Sequence, residues 1–178
     1  MGGELMGLLS FIVFAPIVAT VVLIVLPEGQ REAIRWTALG GATASFAGAV
    51  IAALKVSDSG GATFILRETL PLIPALGIDY SLAVDGWGAV LLLLTGIIIF
   101  AGVWATWEMV DRQREFFIFL LTLVAGVYGV FVSQDLFLFF LFYEIAVLPM
   151  YLLIGIWGSS GKVQARGPFA AAMGRLDV

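Results

Sequence analysis

Long uncharged runs, separated by short charged or turn-forming stretches, set the rhythm of this chain. Five windows, residues 5–26, 36–54, 87–107, 116–132 and 136–157, carry no charge with a single exception and are long enough to cross a bilayer as helices. At about 1.5 Å rise per residue the first reaches roughly 33 Å and the fourth roughly 25 Å, against a hydrocarbon core of about 30 Å. The fourth therefore needs neighbours. Trp36, Trp87, Trp104, Trp107 and Trp157 all sit at or near window ends, where an amphipathic ring prefers the headgroup layer. The first window follows Glu4 rather than a Lys or Arg and exceeds the length of a signal core, so it reads as a retained helix.

Between the second and third windows, residues 55–86 contain Pro71, Pro74 and Gly77. The alternation of Ile78, Tyr80, Leu82 and Val84 with smaller or polar residues predicts a short strand, half of a hairpin, and the whole segment is expected to cover one end of the bundle. The fold expected is an all-α integral membrane protein: five transmembrane helices within residues 1–158, a longer external loop between helices two and three, and a cytoplasmic tail at 159–178. In the second helix Gly40, Ala44 and Gly48 recur every fourth residue and predict a smooth face for close helix contact.

Composition agrees with that pattern: 61% of residues are hydrophobic and 12% charged, and the mean hydropathy is +1.08, which places the chain in the membrane class. The net charge is −4, with charges of both signs confined almost wholly to connecting segments, so no basic patch exists to hold nucleic acid. There is no Cys and no His. Iron–sulfur, haem and zinc sites built on those ligands are excluded, and redox chemistry is expected in a partner. Of the nine Lys and Arg residues, seven (Arg31, Arg35, Arg112, Arg114, Lys162, Arg166 and Arg175) fall on one side of the predicted membrane, and Lys55 and Arg67 on the other. This bias places the N-terminus outside and the C-terminus in the cytoplasm.

The exception to the uncharged windows is Glu144, near the middle of the fifth. An acid at mid-bilayer depth costs about 2.5–3.5 kcal/mol on insertion scales, so such residues are rare and belong mostly to proton or ion pathways. Protonating a glutamate at pH 7 costs about 3.7 kcal/mol. The two costs nearly balance, so a Glu at this depth is suited to exchanging its proton. The plainer alternative is a neutral carboxyl that only bonds helices together. On a helix Glu144 shares its face with Phe137, Phe140, Leu141, Val147, Leu148 and Tyr151, none of which neutralises it, and Tyr151 lies two turns away, about 10 Å. Its partner must come from another helix, another subunit or a water-filled cavity. Pro149 cannot donate to the carbonyl of Ile145 and should bend the helix beside Glu144, leaving an acceptor that can hold water. Asp135 is placed to cap the same helix.

The run Asp135-Leu-Phe-Leu-Phe-Phe-Leu-Phe-Tyr-Glu144-Ile-Ala-Val-Leu-Pro149-Met-Tyr151-Leu-Leu-Ile-Gly-Ile-Trp-Gly158 resembles the fifth transmembrane helix of the antiporter-like, proton-translocating subunits of respiratory complex I, most nearly the subunit M or ND4 type. Ala83-Val84-Asp85-Gly86 and Pro16 fit the same family, and the resemblance extends over most of residues 8–158. It implies a non-redox subunit of a proton-pumping NADH:quinone oxidoreductase in the bacterial inner membrane. In that reading Glu144 carries protons, Pro149 and Tyr151 support it, and NADH, flavin, iron–sulfur clusters and quinone are bound by partner subunits. The partners implied are the other membrane subunits, the peripheral arm and the lipid bilayer. Members of the family place a later-helix Lys opposite this Glu. No intramembrane Lys occurs in these 178 residues, so the complete proton path is expected to need helices beyond them. Two other readings are a subunit of a multisubunit sodium/proton antiporter, and a structural or assembly piece of a membrane complex without its own proton path.

Overall fold

The computed structural model describes residues 7–27, 29–58, 66–73, 78–107 and 112–158. Its elements are α1 (Leu8–Val25), α2 (Arg31–Asp58), β1 (Leu66–Ile73), β2 (Ile78–Val84), α3 (Gly86–Ala105), α4 (Gln113–Val132) and α5 (Leu136–Trp157). All five helices are long and apolar enough to cross a membrane. The expected tail at 159–178, with Lys162, Arg166 and Arg175, lies outside the described residues.

The helices are apolar on both their packed and their open faces. In α1, Leu9, Ile12, Val13 and Leu23 are buried, while Phe11, Phe14, Val18 and Val21 are exposed. A soluble helix would carry charge on the second face; here that face is suited to lipid or to a further apolar helix. The second helix runs past its expected limits of 36 and 54 at both ends. Arg31, Glu32, Lys55 and Asp58 extend it into the headgroup depth, with Glu32 in the first turn and Lys55 in the last, the arrangement the helix dipole favours.

Helix α4 is the hub, packing against α1, α2, α3 and α5. Close approach is set by glycines at particular heights. A β-carbon on Gly126 would lie 2.6 Å from the backbone nitrogen of Ala146, and one on Gly129 would enter the ring of Phe142, so α4 and α5 touch almost backbone to backbone. The stripe expected at Gly40, Ala44 and Gly48 is corrected in part. Gly41 meets Ala19 and Gly48 meets Ile12, whereas a β-carbon on Gly40 would touch nothing. Steps of four residues drift by about 40° each around a helix of 3.6 residues per turn, so the buried stripe instead runs Gly41, Ser45, Gly48, Ala52.

The segment between α2 and α3 is a two-stranded antiparallel hairpin, with Leu66 opposite Val84, Glu68 opposite Leu82 and Leu70 opposite Tyr80, and an irregularity after Pro71. It seals one end of the bundle. The backbone N–H of Gln134 donates to the carbonyl of Ser81 at 2.9 Å, which ties β2 to the α4–α5 turn. Asp85 ends the hairpin and caps α3, accepting from the Gly88 N–H at 2.7 Å. At the opposite end Trp107 packs edge-on against Trp36 at 5.4 Å and beside Trp104 at 5.7 Å. The Arg35 guanidinium lies over the Trp107 ring at 5.7 Å, and Arg114 donates to the Leu26 carbonyl at the end of α1 at 3.0 Å.

Candidate functional site

Helix α5 is started by Asp135, whose carboxylate accepts from the N–H groups of Phe137 at 2.9 Å and Leu138 at 3.1 Å, as the N-cap reading expected. One stripe of the helix, Leu138, Phe142, Ala146 and Pro149, is buried. It packs on α4 and meets β2. Glu144 falls on the other side. It is exposed, as are Phe137, Phe140, Leu141, Leu148 and Tyr151 of the six residues expected to share its face; the sixth, Val147, is half-buried. Among the described residues no side chain hydrogen-bonds or ion-pairs with its carboxylate. The five-helix unit therefore presents this acid outward, at a depth set by the Gly126–Ala146 and Gly129–Phe142 contacts on the far side of the same helix.

Pro149 is buried and lies within the unbroken span of α5. Its ring faces α4 while its missing N–H leaves the Ile145 carbonyl, one residue from Glu144, without its helical donor. Tyr151 is three-quarters exposed on the Glu144 side. The structure thus brings Glu144 and Tyr151 to one open face and turns Pro149 away from it. Among the described residues no group of three or more acidic, His or Cys side chains is placed to hold a metal ion.

A second polar cluster was not anticipated from the sequence. Glu68, on β1, is 6% exposed and lies over the first turn of α1. One carboxylate oxygen accepts from the Leu9 N–H at 2.8 Å, and the other accepts from the Ser10 N–H at 3.1 Å and the Ser10 hydroxyl at 2.5 Å. A carboxylate placed on free N–H groups at a helix start satisfies donors that have no partner within the helix and complements the dipole. Ser10 Oγ also lies 3.0 Å from the Tyr80 hydroxyl. Since Ser10 gives its own proton to Glu68, Tyr80 is the donor in that pair. Burial, the largest cause, holds the Tyr80 phenol above its ordinary value, and the Glu68 charge adds to it. The signal available in the sequence was the period of two, since Leu66 and Glu68 share one face of β1 and Arg67 and Thr69 the other. An acid in phase with Leu66 on the inner face of a strand marks a buried carboxylate with a built-in partner.

Five membrane-length helices, a sealing hairpin and an acid at mid-span on an outward face define a multispanning membrane protein with an intramembrane carboxylate. No family model matches the chain. The chain is 37% identical over 172 residues to NAD(P)H-quinone oxidoreductase chain 4 2 of Thermosynechococcus vestitus, a match covering 96% of this chain and 32% of that protein. It is 37% identical over 161 residues to chain 4 3 of Trichormus variabilis, covering 90% and 30%. Against the chloroplastic chain 4 of Chara vulgaris it is 34% identical over 161 residues, covering 90% and 33%. The chain is homologous to chain 4 of the NAD(P)H-quinone oxidoreductases, and it spans about a third of the length of the curated relatives it matches.

Proposed function

We propose that this chain contributes to the membrane arm of a proton-pumping NAD(P)H:quinone oxidoreductase and that Glu144 is a proton-carrying group there. The supporting observation is the position of Glu144 in a chain 4 homologue: mid-helix, outward-facing and unpaired among the described residues. A carboxylate left in hydrocarbon would be costly, so the open face of α5 is expected to be covered by a helix that brings a cation or water to it. The Ile145 carbonyl released by Pro149 supplies an acceptor for such a water, and Tyr151 a hydroxyl two turns away along the same face. In this reading the chain binds no redox group. NADH, flavin, iron–sulfur clusters and quinone belong to partner subunits, the N-terminus lies outside, the C-terminus lies in the cytoplasm, and the membrane is the bacterial inner membrane.

The test is a pair of substitutions in the assembled complex. Glu144→Gln keeps the size and much of the hydrogen bonding but removes the titratable proton, whereas Glu144→Asp keeps the proton on a shorter stem. At matched assembly, Gln is expected to lower proton pumping in inverted vesicles at least tenfold, equivalent to about 1.4 kcal/mol in the limiting step. Coupled quinone reduction should fall with it, and Asp should retain part of the activity. Pumping by the Gln variant at the parent rate would reduce Glu144 to a structural contact.

A further inference from the structure

Three tryptophans gather at one end of the bundle around an arginine that has no acidic partner among the described residues. The Trp107 ring lies 5.4 Å from that of Trp36 on α2 and 5.7 Å from that of Trp104 on α3, and the Arg35 guanidinium lies over it at 5.7 Å. Arg112 and Arg114 of the same end are engaged, one with Glu115 and the other with the Leu26 carbonyl. Arg35 makes no ion pair among the described residues, and its Nε is buried without a hydrogen-bond partner. Arg31 stands one turn earlier on the same face of α2, exposed to solvent, and Glu32, the acid of that turn, pairs with neither arginine. Trp rings mark the headgroup layer of a bilayer, so Arg35 offers its charge at headgroup depth.

Trp104 is also a wall of an apolar slot of about 410 Å³ on the side of α3, lined besides by Phe100, Ala101 and Ala105. The two large rings stand beside two alanines one turn apart, which leaves a recess between them. The slot ends a broad apolar face on which Trp87, Leu94, Ile98 and Trp104 are exposed. Thr95 of the same helix turns its hydroxyl to the Leu91 carbonyl at 2.8 Å, so it needs no partner from outside. From Trp87 to Trp104 is about 25 Å along a helix, close to the thickness of the hydrocarbon layer. Such a face fits lipid chains. It contrasts with the open face of α5, where Glu144 and Tyr151 call for polar company.

We infer that Arg35 and this slot together bind one anionic phospholipid, its phosphodiester on the Arg35 guanidinium with Arg31 beside it, and one acyl chain along α3 beneath Trp104. The two parts of the site are joined through rings in contact: Arg35 lies on Trp107, and Trp107 on Trp104, which walls the slot. A phospholipid spans that separation between its phosphate and the upper part of its chain. A guanidinium offers a fork of donors to phosphate oxygens, and its charge repels the choline of a zwitterionic headgroup. One such charge near the surface is worth about a fivefold preference for an anionic lipid. The site stands independently of the role proposed for Glu144.

Tryptophan fluorescence of the full chain in phosphatidylcholine nanodiscs tests this, with chain-brominated phosphatidylglycerol or chain-brominated phosphatidylcholine titrated in at matched ionic strength. Bromine quenches only the rings it reaches, so the titrations give the relative association of the two lipids. Phosphatidylglycerol should be favoured about fivefold in the parent. Arg35→Gln should bring the two lipids to parity while leaving quenching by brominated phosphatidylcholine unchanged, which shows the slot intact, and Arg35→Lys should keep most of the preference. Ala101→Phe fills the slot and should reduce quenching by phosphatidylglycerol to the phosphatidylcholine level. Equal quenching in the parent, or a preference that survives Arg35→Gln, overturns the proposal. Shielding from both lipids, as a second copy or another helix seated on α3 would give, overturns it too. Inorganic phosphate should leave the preference in place; its loss would reduce the site to an ion contact at Arg35 and overturn the lipid assignment.

Discussion

At the scale of single residues, two carboxylates solve opposite problems. Glu68 is buried but accepts from three donors of α1 and lies at a positive helix end, so it is held in place by the structure around it. Glu144 stands open to whatever covers α5. Replacing Glu68 with Ala leaves the Leu9 and Ser10 N–H groups without an acceptor in a buried setting, which should destabilise the fold by about 1–3 kcal/mol. Hydrogen exchange at residues 8–12 would register this as loosening of the α1 start; unchanged protection there would show that the hairpin contact is incidental. Tyr80 gives the same cluster a pH dependence. Its raised folded-state value means that its contribution is complete below the ordinary tyrosine value of 10.0 and is lost as pH rises through the raised value. Ionisation removes its donor to Ser10 and sets a second negative charge beside Glu68. Hairpin docking should therefore hold to about pH 10 and weaken above it, and Tyr80→Phe should abolish that alkaline step.

At the scale of elements, the sequence revealed the helices more readily than their contacts. Uncharged runs and terminal Trp residues report depth in the membrane, and they identified all five helices, while the alternation at Ile78–Val84 marked one strand of the hairpin. Which side of a helix packs was harder to read, because apolar residues lie all around α1, α3 and α5, leaving no polar face to mark the outside. The four-residue spacing of Gly40, Ala44 and Gly48 in α2 did not show that the neighbouring helix meets Gly41 and not Gly40. The face of Glu144 was legible as a set of residues, but its openness was not, since that depends on where α4 lies. The glycines that place α4 against α5 make this testable. Gly126→Ala would drive a methyl group into the Ala146 backbone, where no flexible side chain can yield, and should cost about 1–3 kcal/mol of helix docking. Gly102→Ala, whose added carbon meets nothing within 4 Å, should be neutral or gain up to about 1 kcal/mol from helix propensity. Equal effects of the two changes on unfolding would mean that α5 does not depend on this close approach.

At the scale of the whole molecule, the two ends of the bundle are built differently, and this difference carries the topology. One end is sealed by the hairpin and carries two basic residues among those described, Lys55 at the end of α2 and Arg67 on β1. The other collects Arg31, Arg35, Arg112 and Arg114, with Arg35 over Trp107 and Arg112 paired to Glu115 at 2.5 Å. Basic residues near short helix ends are retained on the cytoplasmic side because translocating them is unfavourable, so the hairpin end should face outward. The odd number of helices then places the start of α1 and the end of α5 on opposite sides. Because the chain has no native Cys, Thr69→Cys and Arg112→Cys each offer a single thiol. In sealed, right-side-out membranes an impermeant maleimide should label position 69 without lysis and position 112 only after lysis. Inverted vesicles should reverse the pattern. Labelling of position 69 solely from the cytoplasmic side would invert the bundle and with it the side from which the proposed proton path would approach Glu144.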